Sequence, residues 1–182
     1  FKSQIHFLGT GSHQLMIVSN NPIEIFDAPI INDRFIFAGT LHKMGWMDER
    51  EMETYLKLYR IIVQDPEIVM PDFYIAVTAP AEVLLKRILK ERGRDFEHRE
   101  FFEKFPNYLP SQVTAVSEWV KETVVECPVV VVDSANNNYV DNPEDRERVL
   151  GQIENEIKSF LSENSCGKDG TQFIIPDFLK VK

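Results

Sequence analysis

Two aspartates stand at the ends of predicted strands, where side chains of α/β proteins often do chemistry. Asp27 follows the apolar run 22–26, and Asp133 closes the apolar run 128–133. In open parallel sheets, ligands bind outside the carboxyl ends of the strands. A carboxylate there can act as a general base, hold a metal ion, or cap the helix that follows. The residues alone leave these roles open.

A group of basic residues supplies a second candidate for chemistry. Arg87, Lys90, Arg92 and Arg94 lie within eight positions of one another in a chain whose net charge is −9. Arginine forks match the geometry of phosphate oxygens. A charge run can also be a solvated helix face, but a concentration of arginine in an acidic chain favours phosphate binding.

The elements that would position these residues alternate between strand and helix. Short runs rich in Val, Ile and aromatic residues predict buried parallel strands over 22–26, 72–78 and 128–133. Apolar residues at helical spacing predict helices over 48–64, 79–93 and 149–161. This alternation predicts an α/β fold with a parallel sheet flanked by helices. We expect one domain over 1–162 and a polar C-terminal tail over 163–182, which would form an edge strand or an arm.

Composition narrows the class of protein. The 182 residues, 43% of them hydrophobic, are enough for one domain with a real core. The acidic balance argues against general binding to nucleic-acid backbones. Cys127 and Cys166 follow no metal or redox spacing, which favours reduced thiols in an intracellular protein. No apolar run approaches the roughly 20 residues that span a membrane.

Three stretches occur in a recognisable order, namely NDRFIFAGTLHKMGWMDEREMETY (32–55), PDFYIAVTAPAEVLLKRILKERGRDFE (71–97) and PVVVVD (128–133). They resemble the deoxynucleoside kinase family, and the short bacterial branch acting on deoxyadenosine or deoxyguanosine looks most similar. The resemblance extends from Phe1 to about Leu161. It implies a P-loop kinase fold and a reaction in which ATP, with Mg²⁺, phosphorylates the 5′-hydroxyl of a deoxynucleoside.

The resemblance also implies a nucleoside pocket. The opening segment is similar to the family's nucleoside-binding helix, so Gln4 would pair with the base edge. Asp33 and Phe37 would line the base pocket, Phe37 by stacking. Glu97 would hold the sugar 3′-hydroxyl.

Catalysis and donor binding would fall to the strand ends and the basic segment. Asp27 would take the proton from the 5′-hydroxyl, and Arg87, Arg92 and Arg94 would belong to a lid over the phosphates. The loop after the last strand would lie beside the adenine of the donor, through Asp133, Ser134 and Asn136. No residue is assigned as a metal ligand.

The sequence departs from the family at several of these places. After the catalytic acid the family carries Arg and then Ser or Thr, whereas this chain has Ala28 and Pro29. A second arginine is expected seven residues beyond Gln4, where Gly11 stands in a segment expected to weaken any helix. The phosphate loop pattern GxxxxGK[ST] is absent from the 182 residues. The one weak candidate is IHFLGTGSHQL (5–15), as a strand followed by a glycine loop.

The family places its phosphate loop and central first strand before the point at which this chain begins. We therefore expect the sheet to be completed by an N-terminal segment, by a partner protein, or by 4–8 or 171–175 of this chain, and we favour an outside source. Nothing in the sequence separates a cytoplasmic from a mitochondrial location.

Two main function classes remain open. One is a deoxynucleoside kinase represented by an incomplete or divergent chain. The other is a kinase-fold protein without activity, retained as a structural subunit, as in one accessory subunit of mitochondrial respiratory complex I that resembles this family. A third, regulatory nucleotide-binding class would keep the base pocket alone. The chain by itself is expected to be inactive.

Overall fold

A computed structural model describes residues 1–16, 24–27, 30–92, 98–123 and 127–163. Eight α-helices, two β-strands and two π-helical segments lie in these ranges. The helices are α1 (Lys2–Leu15), α2 (Ile30–Asn32), α3 (Gly39–Lys43), α4 (Glu49–Val63), α5 (Ala81–Lys86), α6 (Arg99–Lys104), α7 (Tyr108–Thr123) and α8 (Pro143–Glu163). The strands are β1 (Tyr74–Thr78) and β2 (Val129–Asp133), and the π-helical segments are π1 (Asp33–Ala38) and π2 (Arg87–Arg92).

The two strands pair in parallel, as the sequence predicts for 72–78 and 128–133. Tyr74 is opposite Val129, and the register continues to Thr78 opposite Asp133. Because both strands run in the same direction, their carboxyl ends meet at one edge of the sheet. The expected α/β architecture is confirmed, with the described part rich in helix around a small parallel sheet.

Each face of this two-stranded sheet is partly covered by a helix, which packs on one strand and leaves the other strand exposed on that face. Tyr74 and Ala76 on β1 pack against Trp119 of α7. Val130 and Val132 on β2 form a second cluster with Val149 of α8. Three apolar side chains of the strands remain exposed, namely Ile75, Val77 and Val131. Parallel sheets are normally covered on both faces, so these exposed residues mark surface that a neighbour could cover.

The opening segment is a continuous helix, although it contains two glycines. Leu8 and Leu15 of α1 are fully buried in a core cluster with Tyr55 and Tyr59 of α4. Burial of this face outweighs the helix propensity lost at the glycines, which is about 1 kcal/mol each. The reading of 5–15 as a strand and glycine loop is therefore wrong, and so is 4–8 as a strand that completes the sheet.

Helix α4 follows its sequence pattern closely. It begins after Asp48, whose carboxylate accepts from the Glu51 N–H at 2.8 Å while the Glu51 side chain accepts from the Asp48 N–H at 3.0 Å. This reciprocal capping fixes the start of the helix. Tyr55 and Tyr59 are buried, and Met52, Leu56, Ile62 and Val63 pack around the same core.

The strand predicted over 22–26 is wrong for its described part. Residues 24–26 have no strand pairing, and Ile25 is 88% exposed. Phe26 packs against the α1–α4 core instead. A β-rich run forms a strand only where a neighbouring strand pairs with it, and no strand of the described residues pairs with 24–26. The predicted segment 171–175 and the tail beyond residue 163 lie outside the described residues.

Candidate functional site

The carboxyl ends of β1 and β2 are joined by a network of hydrogen bonds around Ser134. The Ser134 hydroxyl donates to the Thr78 carbonyl at 2.9 Å, and the Ser134 N–H donates to the same carbonyl at 2.9 Å. Arg87, the first residue of π2, donates to the Ser134 hydroxyl at 2.8 Å and to the Ser134 carbonyl at 2.6 Å. The Arg87 guanidinium therefore connects π2 to Ser134 after β2 and, through Ser134, to the end of β1.

The loop after β2 is organised by Asp133. Its carboxylate accepts from the Asn136 side-chain amide at 2.6 Å and from the Ala135 N–H at 2.9 Å. These bonds, the Asn136 side chain first, hold the pKa of the Asp133 carboxyl below its usual range. The Asn137 side chain donates to the Asp133 carbonyl at 2.6 Å, which closes the turn. The loop is thus held by hydrogen bonds between its own residues, and the Asp133 carboxylate lies on its exposed side.

A second polar region lies between α1 and π1, and it contains buried groups that lack partners. Gln4 is 5% exposed, and its Oε1 has no hydrogen-bond partner in the described structure. Burial raises the pKa of Asp33 to about 6. Phe37, one turn further along π1, leaves about a third of its surface exposed. A buried amide oxygen and a partly desolvated carboxyl can both bond the edge of a polar planar ligand.

Gly11 connects these two elements. A Cβ built on Gly11 would lie 2.6 Å from Cγ2 of Ile30 and 3.9 Å from Oδ2 of Asp33. Helix α1 therefore has no side chain at Gly11, the position that faces the Asp33 carboxylate, and the Ile30 side chain fills the space next to Gly11. An arginine side chain at position 11 does not fit unless Ile30 moves.

Comparison with known proteins identifies the family of the chain. The family model "Deoxynucleoside kinase" matches residues 1–158. The chain belongs to the deoxynucleoside kinase family. The match covers both the polar region between α1 and π1 and the strand ends with their loop.

Curated relatives of this family include bacterial and mitochondrial enzymes. A deoxyguanosine kinase of Lactobacillus acidophilus is 24% identical over 161 residues, which is 87% of this chain and 69% of that protein. A deoxyguanosine kinase of Bacillus subtilis is 28% identical over 125 residues, or 69% of this chain and 58% of that protein. A mitochondrial deoxyguanosine kinase of Xenopus laevis is 25% identical, over 89% of this chain and 59% of that protein. The chain thus spans between about three fifths and two thirds of these relatives.

The structure brings some residues predicted from the deoxynucleoside kinase pattern together. Arg87 contacts Ser134, so a predicted lid residue and a predicted donor-loop residue meet at one strand edge. Gln4 and Asp33 lie on packed neighbouring elements, α1 and π1. Both π-helical segments coincide with predicted site segments, and π-helical turns are frequently found at functional sites.

Other predicted residues of the deoxynucleoside kinase pattern are not brought together in the described part. The side chain of Asp27 is exposed, and within the described ranges it forms no hydrogen bond or ion pair. Arg92 is the last residue of π2, and its side chain is not among the described parts of the structure. Arg94 and Glu97 lie outside the described residues, as do Ala28 and Pro29. Their assigned roles stay predictions.

Sequence reasoning missed Arg34 on π1 and Tyr55 on α4, two elements that pack against each other. Arg34 lies 4.5 Å from the ring centroid of Phe35 and 5.0 Å from that of Tyr59. Tyr55 is fully buried, and its hydroxyl has no hydrogen-bond partner in the described structure. The pattern of α4 contained a signal for this, because tyrosines on a buried helix face carry polar tips that need partners.

The described part adds two findings on metals and membranes. Within it, no group of three or more His, Cys, Asp or Glu side chains is arranged to hold a metal ion. Among the described helices, none combines the length and the apolar character that crossing a membrane requires.

Proposed function

We propose that this chain binds a deoxynucleoside in the region between α1 and π1. The observation that carries the proposal is the buried Oε1 of Gln4, which lacks a partner in the described structure and lies on the element that packs against Asp33 and Phe37. A buried polar atom without a partner costs about 1–3 kcal/mol, so a ligand that bonds it regains that free energy. The family of the chain and the names of its relatives support a nucleoside as that ligand.

Deoxynucleoside binding should raise the melting temperature of the full 182-residue chain by mass action. We expect a shift with at least one of the four deoxynucleosides at millimolar concentration, and loss of that shift in Gln4→Ala and Phe37→Ala. Phe7→Ala is the matched control, because Phe7 lies on α1 with half of its surface exposed and no assigned role. Differential scanning fluorimetry measures all four proteins. An unchanged melting temperature with every nucleoside would refute nucleoside binding.

We further propose that the 182 residues do not catalyse phosphoryl transfer by themselves. Gly11 and Ala28 stand where the resemblance implies arginines, and Ile30 closes the space beside Gly11. Groups that stabilise charge in a transition state are worth roughly 3–4 kcal/mol each, so losing two lowers the rate by several orders of magnitude. We expect no labelled product from any deoxynucleoside with ATP and Mg²⁺. Turnover that disappears in Asp27→Asn would overturn this proposal.

ATP and Mg²⁺ belong to the family reaction, and the described residues can be compared with what they require. Magnesium is usually held by one or two carboxylates together with substrate phosphates. At the strand ends, Asp133 is engaged by its own loop, and the Arg87 guanidinium is engaged by Ser134. Binding of a magnesium triphosphate at the strand ends would therefore compete with these two described hydrogen bonds.

A structural role in a larger assembly is the second candidate. It is favoured by the apolar residues Ile75, Val77 and Val131, which leave part of each sheet face exposed. A segment preceding Phe1 or a partner protein could cover them, and an accessory subunit such as that of respiratory complex I would be one setting. Both a cytoplasmic and a mitochondrial location suit this candidate. If no nucleoside binds, this role is the one that remains.

A further inference from the structure

The outer edge of β1 carries backbone groups that no described strand pairs. The Tyr74 N–H donates to the Pro128 carbonyl at 2.9 Å, so the backbone groups of Tyr74 face β2. Successive residues of a strand direct their backbone groups to opposite edges, so those of Ile75 and Val77 point away from β2. Within the described residues, β1 pairs with β2 alone. An apolar strand edge without charged residues favours pairing with a further strand.

The outer edge of β2 differs, because a side chain of α8 occupies it. The side-chain amide of Gln152 donates to the Val131 carbonyl at 3.3 Å. This carbonyl points away from β1, on the side where another strand would have to pair. A strand could join β2 there only by displacing Gln152. The edge of β1 is therefore the more accessible edge of the described sheet.

The helices next to the sheet lie on opposite faces of it. Tyr74 packs against Trp119 of α7, whereas Val130 packs against Val149 of α8. Because Ile75 is opposite Val130 in the register, the side chains of Tyr74 and Val130 point to opposite faces. Crossovers between parallel strands are right-handed, so two crossovers over opposite faces run in opposite directions. The chain reaches β2 through α7 and leaves it through α8, so a parallel strand after α8 would return to the outer edge of β1.

Helix α8 also brings the chain back to the start of β1. The ring of Phe160, in the last turn of α8, lies 6.0 Å from that of Phe73, the residue before β1. Residues 164–170 can extend over roughly 23 Å, whereas neighbouring strands lie only about 4.8 Å apart. A segment that follows residue 170 can therefore begin at the amino end of the sheet and run parallel to β1.

Besides β1 and β2, strand-forming residues occur at 4–8, 22–26 and 171–175. Residues 4–8 belong to α1, and the described part of 22–26 has no strand pairing. The remaining run, TQFII (171–175), is short, is apolar at three consecutive positions and is followed by Pro176. Such runs are typical of parallel strands that are covered on both faces.

We propose that residues 171–175 form a third parallel strand on the outer edge of β1. Side chains of this strand on the α8 face would lie beside Ile75 and Val77, which are 41% and 53% exposed, and would cover part of their surface. The direction of the crossover and the position at which α8 ends favour this segment over the outside source expected from the sequence. The proposal does not depend on the nucleoside site.

The test is hydrogen exchange of single amides, measured by NMR on the full 182-residue chain. A third strand protects the amides of Ile75 and Val77, whereas β2 protects those of Ala76 and Thr78. The double variant Phe173→Pro/Ile174→Pro removes a donor to β1 in either register, because successive residues face opposite edges. In this variant we expect the first two amides to exchange at least about tenfold faster than in the wild type, and the other two to be unchanged.

The matched control is Leu179→Pro/Lys180→Pro, which places two prolines in the same tail but outside 171–175. We expect wild-type exchange rates in this control. Equal rates for Ile75 and Val77 in the two double variants overturn the proposal. If the first variant does not fold, nuclear Overhauser contacts between 171–175 and β1 in the wild type decide. The absence of such contacts overturns the proposal.

The same measurement separates the other occupants of this edge. If Ile75 and Val77 exchange in the wild type as fast as in an unfolded chain, the proposal is overturned. The edge is then left for a segment preceding Phe1 or for a partner protein. Protection that rises with protein concentration assigns the edge to a second copy of the chain, and this result also overturns the proposal. Protection that is independent of concentration and is lost in Phe173→Pro/Ile174→Pro supports it.

Discussion

Replacement of Trp119 by alanine is expected to lower the free energy of unfolding by about 3–5 kcal/mol, the largest effect of any single substitution proposed for this chain. Trp119 is 3% exposed and packs edge-on against Tyr74, with ring centroids 5.3 Å apart. It covers the face of β1 that carries Tyr74 and Ala76. Removing the indole leaves a cavity where α7 meets the sheet. Urea denaturation followed by circular dichroism measures the loss.

Two further variants separate packing from polar effects. The indole N–H of Trp119 has no hydrogen-bond partner in the described structure. Trp119→Phe keeps an aromatic ring and removes that donor, so we expect it to cost far less than the alanine. Trp46→Ala is the matched control, because Trp46 is 38% exposed in a surface cluster with Phe105 and Tyr108. A loss in Trp119→Ala no greater than that in Trp46→Ala would contradict the packing described for α7.

Alanine at Gly11 and alanine at Gly9 are expected to change stability in opposite directions. Both glycines lie in α1, where alanine favours the helix by about 1 kcal/mol. A Cβ on Gly9 meets nothing within 4 Å, whereas one on Gly11 meets Cγ2 of the fully buried Ile30 at 2.6 Å. Overpacking of this kind costs about 1–3 kcal/mol. Gly9→Ala should therefore stabilise the chain, and Gly11→Ala should destabilise it by up to about 2 kcal/mol.

A double-mutant cycle identifies the atom responsible. Leucine at position 30 keeps the side-chain volume but carries no second γ-carbon on its Cβ. Gly11→Ala should therefore cost less in an Ile30→Leu background than in the wild type, as measured by urea denaturation. Equal costs in both backgrounds would show that Ile30 does not limit the approach of α1 and that an arginine could be accommodated at position 11.

The sequence correctly predicts those elements that have a clear apolar pattern and whose packing partners belong to the same chain. The helix predicted over 48–64 is found over Glu49–Val63, with the apolar face that its spacing predicts turned to the core. The strands Tyr74–Thr78 and Val129–Asp133 pair with each other, so their apolar runs find the neighbours that they need. Local preference and tertiary packing agree at these places, which makes the prediction secure.

Prediction of secondary structure fails where the conformation of a segment depends on which other segment packs against it, because the local pattern does not contain that information. Residues 24–26 have strand-forming side chains but no strand to join in the described structure, so packing of Phe26 decides their conformation. Residues 9–11 contain glycines typical of a loop, but Leu8 and Leu15 are buried on the same helix and hold it together. Propensity is a weak prior when a buried face opposes it.

The residues of the candidate site stay predictions from the family resemblance, and the hydrogen bonds between them come from the structure alone. The family resemblance indicates Gln4, Asp33, Arg87 and Ser134 as site residues, and it assigns Arg87 to phosphate. The direct bond from Arg87 to Ser134 depends on the position of π2 over the strand ends, which no spacing in the sequence expresses. Tyr55 was missed because its buried position was attributed to the core alone.

The π-helical segments have a consequence for how chains of this family can be aligned. A π-helical turn closes its hydrogen bonds over one residue more than an α-helical turn. Deleting one residue within Asp33–Ala38 would therefore convert the turn to an α-helical one between α2 and α3, and the same deletion within Arg87–Arg92 would extend α5 as an α-helix. These two stretches are places where evolution can insert or remove a single residue without breaking a helix. A gap of one position there between distant homologues would record a change in local winding and not the loss of an element.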